Sequence, residues 1–232
     1  MRFAISGLVL AFLAAPAAAL LARSRADAER QVGAFLLLLG FGLALRLAAV
    51  HEASVVVALN VAGHVLLSLA GIPLLRFTRS VFRPDEAWAR WLERAGIGVT
   101  FAALPAMGLD GGFGDEGARS LVLVNGSRML ACAWSFSEAL RYRGLMRRRA
   151  ALGLAEPALV NRFTLWSIWM GALTATFAFV LALRIIGGGT HVESMVVVVR
   201  PALAGGLAIA AVALQLTFFP PRAYLRWVAR AS

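Results

Sequence analysis

The stretch LALRLAAVHEASVVVALN, residues 43 to 60, shows the fold of this chain in a single turn. An apolar run ends near an arginine, a short polar connection follows, and a second apolar run begins. A similar turn, LALRIIGGGTHVESMVVVVR, occupies residues 181 to 200. Both turns indicate two membrane helices joined by a short loop at their outer ends.

The composition around these turns is typical of a membrane protein. Hydrophobic residues make up 60% of the 232 residues and the mean hydropathy is +0.78, values above those of soluble domains. The formal net charge of +11 does not indicate nucleic-acid binding, because the basic residues are dispersed between long apolar runs. Every basic residue other than histidine is an arginine, so no lysine can form a Schiff base with retinal or pyridoxal.

Seven apolar windows are candidates for membrane spans, since a span needs about 20 residues at a rise of roughly 1.5 Å each. The fourth window is the shortest, contains Pro105, and follows a segment of tryptophans and arginines that we expect to lie in the membrane interface. The sequence therefore predicts an all-α membrane protein with seven transmembrane helices. The windows lie near residues 3–22, 31–50, 54–75, 95–109, 118–140, 163–186 and 195–219.

Arginines mark every second connection of the predicted bundle. The connections after helices 1, 3 and 5, together with the C-terminal tail, hold 17 of the 23 arginines. The alternate connections, HEAS, DGGFGDEG and GGGTHVES, hold none. The positive-inside rule then places the N-terminus outside and the C-terminus inside. A cleaved signal peptide at residues 1–22 is the alternative, but it would require both large arginine-rich loops to be translocated.

The two similar turns predict an internal repeat in a 3+1+3 arrangement. His51 and Ser54 match His191 and Ser194 at identical spacing. Helices 1 to 3 would form one triplet and helices 5 to 7 a parallel copy, with helix 4 as the linker that inverts the chain. The corresponding segments are residues 1–94, 95–117 and 118–232. Chance similarity is the alternative, because leucine, alanine and valine are abundant throughout.

The predicted arrangement resembles that of small sugar carriers built from two parallel three-helix repeats. The resemblance concerns architecture alone, since those carriers bear Pro-Gln signatures and this sequence contains no Pro-Gln pair. Heptahelical receptors have the same number of helices, and a fold by itself does not specify a function. Transport and ligand sensing are therefore both open at this point.

Polar residues inside the predicted spans indicate a solute site, because ionisable groups in hydrocarbon face cavities or partners. Asn60 and Arg200 occupy equivalent places in the two triplets, and His64 follows Asn60 by one turn on the same face. Helix 5 adds Asn125 and Arg128 at a spacing of three residues. Each has a structural alternative: hydrogen bonds between helices for the asparagines, burial for the histidine, and snorkelling to the headgroups for Arg200.

Arg128 is predicted to bind the anionic part of a solute. It lies roughly 15 Å below the outer start of helix 5, near the middle of a core about 30 Å thick. The windows place no acidic residue at that depth, and Glu138 lies roughly 15 Å further along the same helix. A guanidinium group can bind a carboxylate or phosphate through two parallel hydrogen bonds. The alternative is that Arg128 only ties helix carbonyls together.

The sequence offers little support for catalysis. The histidines are predicted to lie too far apart to share a metal ion, and no His-x-x-x-His pair, nucleophile elbow or Walker motif occurs. We expect no enzyme activity, no metal and no cofactor. Residues 141 to 162 are predicted to form the longest loop, at the inner membrane surface. Its basic residues are expected to attract anionic lipid headgroups or a cytoplasmic protein partner; they include Arg141, Arg143, Arg147, Arg148 and Arg149.

These features together predict a function at the membrane. The expected protein is a carrier or permease for a small anionic solute, bound in the outer half and middle of the bundle, in a bacterial inner membrane. A heptahelical ligand sensor, signalling through a separate cytoplasmic partner at residues 141–162, is the alternative. Neither class of function involves nucleic acid.

The predicted orientation can be tested with single cysteines introduced into a Cys132→Ala background, because Cys132 is the only cysteine. The outer positions to test are Ser54, Gly112 and Thr190, and the inner positions are Ser24, Ser80 and Gly144. In intact cells, a membrane-impermeant maleimide is expected to label the outer positions alone. Labelling with the opposite sidedness would contradict the orientation and support the signal-peptide alternative.

Overall fold

The computed structural model describes residues 13–22, 24, 26–48, 53–111, 120–186, 205–206 and 208–230. The described part is 90% helical and contains no strand. The connections within the repeated turns, residues 49–52 and 187–200, lie outside the described residues, and so does Arg200. The internal repeat, its segment boundaries and the count of seven spans therefore stay predictions. The helices are α1 (Leu13–Ala22), α2 (Asp27–Ala48), α3 (Ala53–Phe82), α4 (Ala87–Leu109), α5 (Ser120–Ala151), α6 (Pro157–Ile186), α7 (Ala208–Phe218) and α8 (Arg222–Arg230).

Three of the described helices are long and apolar enough to cross a membrane. These segments are Asp27–Arg46 in α2, Val57–Phe82 in α3 and Pro157–Leu183 in α6. The all-helical class predicted from the sequence is confirmed, and the long apolar helices agree with a membrane protein. Helices α4 and α5 have comparable lengths but are not among these candidate spans. Helix α5 carries charged residues both inside its length and along its last turns.

Helix α3 extends beyond the apolar window that predicted it. The window ended at residue 75, whereas the helix ends at Phe82 and includes Arg76 and Arg79, which were assigned to a loop. The reason is an interaction with α4: Arg79 Nε lies 2.5 Å from Glu93 Oε2, and Arg76 Nε lies 3.8 Å from Glu93 Oε1. Hydropathy alone does not reveal that a carboxylate on a neighbouring helix supports these turns.

Helix α4 begins earlier than predicted, at Ala87. The tryptophan- and arginine-bearing segment, expected to be a separate interfacial stretch, forms its first turns. Glu86 precedes the helix in an extended conformation, and Pro105 lies inside the helix without ending it. Residues 87 to 95 contain no glycine or proline, and Gly96 and Gly98, at the boundary with the apolar segment, lie within the same continuous helix.

Residues 141 to 162 do not form one long loop, and that prediction is wrong. Helix α5 continues to Ala151, and the connection to α6 spans only residues 152–156. Gly153 closes the helix with a φ of +69°, while Gly153 N donates to Ala150 O and Leu154 N donates to Arg149 O. These are the two hydrogen bonds of a Schellman motif. Arginine, leucine, methionine and alanine are good helix formers, which explains the extension.

The core lies where α3 and α5 meet and where each packs against its neighbour in the chain. Helix α3 packs against α2, α4 and α5, and α5 packs against α3, α4 and α6. Aromatic rings join α3, α6 and α7: the rings of Phe77 and Trp166 stack at 4.7 Å, and Phe218 meets Trp166 edge-on at 5.9 Å. Trp169 is buried beside Trp166 and contacts Phe35 of α2.

The arginine-bearing segments lie at one end of the bundle, called here the arginine-rich end. Ser80 Oγ contacts Gln31 Oε1 at 3.3 Å, which joins the end of α3 to the start of α2. Tyr142 donates to the carbonyl of Phe82, and Tyr224 donates to Asn161 Oδ1, which adds α5, α6 and α8. These helix ends therefore lie together, as the sequence predicts. Their location on the cytoplasmic side stays a prediction.

Gly96 lets α4 approach α3 closely, and this contact can be tested. A Cβ atom at Gly96 would lie 2.8 Å from Leu75 Cδ1, whereas nothing lies within 4 Å of one at Gly98. Gly96→Leu is expected to destabilise the protein by about 1–3 kcal/mol through overpacking. Gly98→Leu is the matched control and should have little effect. Unfolding in detergent, followed by circular dichroism, measures both; equal stability of the two variants would contradict the α3–α4 packing.

Candidate functional site

A buried polar cluster joins α3 to α5 around Arg128. The Arg128 residue is only 4% exposed. Its Nη2 donates to the backbone carbonyl of His64 and to Ser68 Oγ, both at 2.9 Å, and its Nη1 donates to Asn125 Oδ1 at 3.5 Å. The structure thus brings His64 of α3 together with Asn125 and Arg128 of α5, three residues that were predicted as site residues on two helices.

The His64 side chain takes part as well, because its Nδ1 lies 3.3 Å from Arg128 Nη2. A guanidinium group has donors and no acceptor, so any hydrogen bond between these atoms is accepted by Nδ1. The Nη2 atom carries two hydrogens and faces three acceptors, namely this ring nitrogen, the His64 carbonyl and Ser68 Oγ. The ring contact is the longest of the three, and it is therefore the weakest member of the cluster.

Asn125 is oriented for its role by its own helix. Its Nδ2 donates to the carbonyl of Leu121 at 2.9 Å, which leaves Oδ1 turned toward Arg128. The residue is buried, as are His64 and Ser68 on the facing helix. A buried charge needs hydrogen-bond acceptors around it, and these neutral groups supply them to Arg128.

Ser68 is a member of the cluster that the sequence analysis missed. A signal was available, because Ser68 follows His64 by four residues and therefore lies on the same face of α3. Asn60 lies one turn before His64 and is half-buried, but no hydrogen bond among the described residues joins it to Arg128. Arg200, the predicted counterpart of Asn60, lies outside the described residues.

A second charged cluster lies on α5 nearer the arginine-rich end. Glu138 is 4% exposed and accepts from Arg83 Nε at 2.7 Å, while Arg141 Nη1 lies 3.5 Å from its other oxygen. The guanidinium carbon of Arg83 also lies 5.2 Å from the centre of the Trp88 ring. The cluster ties the end of α3 and the start of α4 to the middle of α5.

The arginines predicted to face the membrane surface fall into two groups, those close to this second cluster and those beyond it. Arg141 pairs with the buried Glu138, and Arg143 is half-buried, with an Nε that has no hydrogen-bond partner among the described residues. Their assignment to the membrane surface stays a prediction. The side chains of the remaining three are exposed along the last turns of α5; they are Arg147, Arg148 and Arg149.

Buried polar residues of α5 lie between the two clusters. Cys132 and Ser135 are each buried and follow Arg128 at helical spacing on the same side of the helix. Ser135 Oγ accepts a hydrogen bond from Trp166 Nε1 at 3.1 Å, which connects this side of α5 to α6. The face of α5 that includes Arg128 is therefore polar over several turns, from Asn125 to Glu138.

The described residues contain no group of three or more histidine, cysteine or acidic side chains that could hold a metal ion. Two cavities, of about 400 and 550 Å³, lie at the arginine-rich end. The smaller lies between α6, α7 and α8, the larger lies between α2 and α3, and neither is lined by Arg128. Arg128 is buried among the described residues, between α3 and α5.

Comparisons of the chain with family models, with curated proteins and with solved structures found no match. The chemistry of the site is therefore interpreted from its own residues. The arrangement can bind an anion at a buried guanidinium group, or it can hold α3 and α5 together. In the first role, a ligand replaces some of the hydrogen-bond partners of Arg128. In the second role, those partners are permanent.

The pairing of Arg83 with Glu138 yields a stability prediction. Arg83→Ala should destabilise the protein, because it removes the 2.7 Å partner of a buried carboxylate. The same change in a Glu138→Gln background should cost less, and a double-mutant cycle should give a coupling of about 0.5–3 kcal/mol. Chemical unfolding in detergent micelles measures all four proteins. A coupling of zero would show that the two side chains do not interact in the folded protein.

Proposed function

We propose that this chain is a multi-pass membrane carrier for a small anionic solute, with Arg128 as the group that binds the anion. The observation that supports the proposal is the arrangement of Arg128 between α3 and α5, where it hydrogen-bonds to a carbonyl, a hydroxyl and an amide. Hydrogen bonds of a guanidinium group to a carboxylate or phosphate are roughly twice as strong as those to neutral acceptors. A solute anion can therefore replace the neutral acceptors.

The packing around the cluster favours such an exchange. The crowded Nη2 can release its 3.3 Å contact with His64 Nδ1 and keep its shorter bonds. One turn beyond Ser68, Gly71 faces Ala131 of α5, and a Cβ at Gly71 would lie 3.7 Å from the Ala131 Cβ. The side chains that meet at this point of the α3–α5 interface are small and do not interlock, so the two helices can shift relative to each other at little steric cost.

The remaining residues of the proposed site follow from the sequence. Asn125 and His64 would contact the solute beside Arg128, with Asn60 and Arg200 nearer the outer surface. The solute would enter from the outer side and leave at the arginine-rich end. The proposed location is the inner membrane of a bacterium, in agreement with the three long apolar helices.

A ligand sensor is the second candidate, and the continuity of α5 favours it. One helix of 32 residues carries Arg128 in its buried part and Arg147, Arg148 and Arg149 at its exposed end. A displacement of α5 on anion binding would reach the arginine-rich end without passing through a loop. In this alternative, a separate cytoplasmic protein binds the end of α5 and detects that displacement.

The proposal is tested with purified protein and three probe anions, namely acetate, succinate and inorganic phosphate. At least one is expected to raise the unfolding temperature of the wild-type protein and of Arg90→Gln, in which an exposed arginine loses its charge. Arg128→Gln retains donors but not the charge, so it should fold and lose the stabilisation. If every probe affects Arg128→Gln and the wild type equally, Arg128 is not the anion-binding group.

Counterflow in liposomes separates the two candidate functions. A carrier should exchange a radiolabelled form of the stabilising anion across the bilayer without any other protein, and Arg128→Gln should abolish the exchange. A sensor should show the stabilisation without flux. Absence of both stabilisation and flux with all three probes would contradict the proposal of an anion site.

A further inference from the structure

The larger cavity, called here the α2–α3 cavity, lies between two of the three helices that can cross a membrane. Its volume is about 550 Å³. On the α2 side it is lined by Asp27, Gln31, Ala34 and Leu38, each three or four residues after the one before. Residues at this spacing form a stripe along one side of a helix. The cavity therefore follows α2 over about three turns, roughly 16 Å at 1.5 Å per residue.

The charged residues of this cavity lie at the arginine-rich end, and its walls further in are apolar. On α2, Asp27 and Arg30 come first, and Leu38 lies about two turns beyond Arg30. On α3, which runs toward the arginine-rich end, Arg76 is the last residue of the wall and Leu69 lies about two turns further in. A cavity with one charged end and one apolar end can bind an amphipathic ligand.

Charges of both signs occur at the charged end, and their order is fixed by the two helices. Ser80 Oγ contacts Gln31 Oε1 at 3.3 Å, so Arg76, one turn before Ser80 in α3, lies on the apolar side of Gln31. Arg30 lies three residues, roughly 4.5 Å, further in than Asp27. Asp27 is therefore the outermost charged residue of the cavity, and both arginines lie between it and the apolar walls.

These charged side chains can accept a further partner. Asp27 and Arg30 are exposed, and neither takes part in an ion pair among the described residues. Arg76 Nε lies 3.8 Å from Glu93 Oε1, but the Arg76 side chain is 57% exposed and Glu93 has a shorter contact with Arg79. Arg76 can therefore donate to a second anionic group.

The order of these charges matches that of a zwitterionic phospholipid. In phosphatidylethanolamine the ammonium group is the outermost charge, the phosphate follows, and the acyl chains lie furthest in. A carboxylate accepts hydrogen bonds from an ammonium group, and guanidinium groups donate to a phosphate. An anionic lipid such as phosphatidylglycerol has the phosphate, but it has no cation for Asp27. The carboxylate therefore distinguishes a zwitterionic headgroup from an anionic one.

We infer that the α2–α3 cavity binds a zwitterionic phospholipid whose headgroup has a primary ammonium group. The ammonium group contacts Asp27, the phosphate contacts Arg30 and Arg76, and one acyl chain lies along the apolar walls. The lipid enters directly from the bilayer, because α2 and α3 are both candidate spans. This site is separate from the anionic-lipid surface expected at residues 141–149, and it does not depend on whether the protein transports or senses a solute.

The experiment is native mass spectrometry of protein released from nanodiscs that contain equal amounts of three phospholipids. These are phosphatidylethanolamine, phosphatidylcholine and phosphatidylglycerol. The wild type should retain phosphatidylethanolamine in preference to the other two. The nitrogen of phosphatidylcholine carries three methyl groups and cannot donate a hydrogen bond to Asp27, and phosphatidylglycerol has no cation. Glycerophosphoethanolamine, the soluble headgroup without acyl chains, should not displace the bound lipid, since it cannot contact the apolar walls.

A matched pair of variants tests the carboxylate. Asp27→Asn removes it from the cavity, whereas Glu29→Gln removes an exposed carboxylate from the same first turn of α2 that does not line the cavity. Asp27→Asn should reduce the preference for phosphatidylethanolamine over phosphatidylcholine about fivefold, the contribution of one exposed ion pair. Glu29→Gln should behave like the wild type.

A second pair tests the arginines. Arg30→Gln/Arg76→Gln should retain less of every phospholipid, because all three have the phosphate. Arg90→Gln/Arg94→Gln, which changes two exposed arginines of α4 outside the cavity, should behave like the wild type. Equal losses within either pair of variants would overturn the inference. So would equal retention of phosphatidylethanolamine and phosphatidylcholine by the wild type, a preference for phosphatidylglycerol, or displacement of the lipid by the soluble headgroup.

Discussion

The guanidinium group of Arg128 constrains how α3 and α5 can pack. A charge inside an apolar bundle has to be surrounded by hydrogen-bond acceptors at fixed distances. α3 supplies two of them one turn apart, the carbonyl of His64 and the hydroxyl of Ser68, both 2.9 Å from Nη2. A sliding of α3 by one turn would lose these bonds. The same hydrogen bonds therefore fix the register of α3 against α5 and form the proposed site.

The same requirement is met differently at the arginine-rich end. There, buried or half-buried carboxylates supply the acceptors: Glu138 pairs with Arg83, and Glu93 pairs with Arg79. These pairs connect different helices and extend α3 and α4 past their apolar parts. Arginines beyond the carboxylates, such as Arg147, Arg148 and Arg149, are exposed. One residue type thus occurs in three settings among the described residues: a buried cluster, ion pairs between helices, and an exposed helix end.

The Arg128 cluster and the cavity between α6, α7 and α8 lie in different parts of the bundle. Arg128 is buried between α3 and α5. The cavity lies nearer the arginine-rich end. Helix α6 packs along α5 and carries Asn161, the hydrogen-bond acceptor of Tyr224.

Much of the fold was determined by local sequence. Long apolar runs predicted helices α1 to α7 at least in part, because helix formation in hydrocarbon satisfies every backbone hydrogen bond within the segment; α8 lies beyond the last apolar window. The alternation of arginines predicted which helix ends lie together. Helical spacing predicted that Asn125 and Arg128 share a face, and that His64 lies on the inner face of α3. Each of these properties depends on residues within a few turns of one another.

The tertiary structure decided where helices end and which partner each charge finds. The sequence predicted a loop at residues 141–162 because the apolar run stops there, yet α5 continues to Ala151. It also gave no sign that Glu138 accepts from Arg83, which is 55 residues away. Helical spacing places Ser68 on the His64 face of α3, but it does not show that Ser68 meets Arg128, 60 residues away. Hydropathy and spacing describe one helix at a time. Contacts between helices depend on their relative rotation and height, which only the packing of the whole bundle fixes.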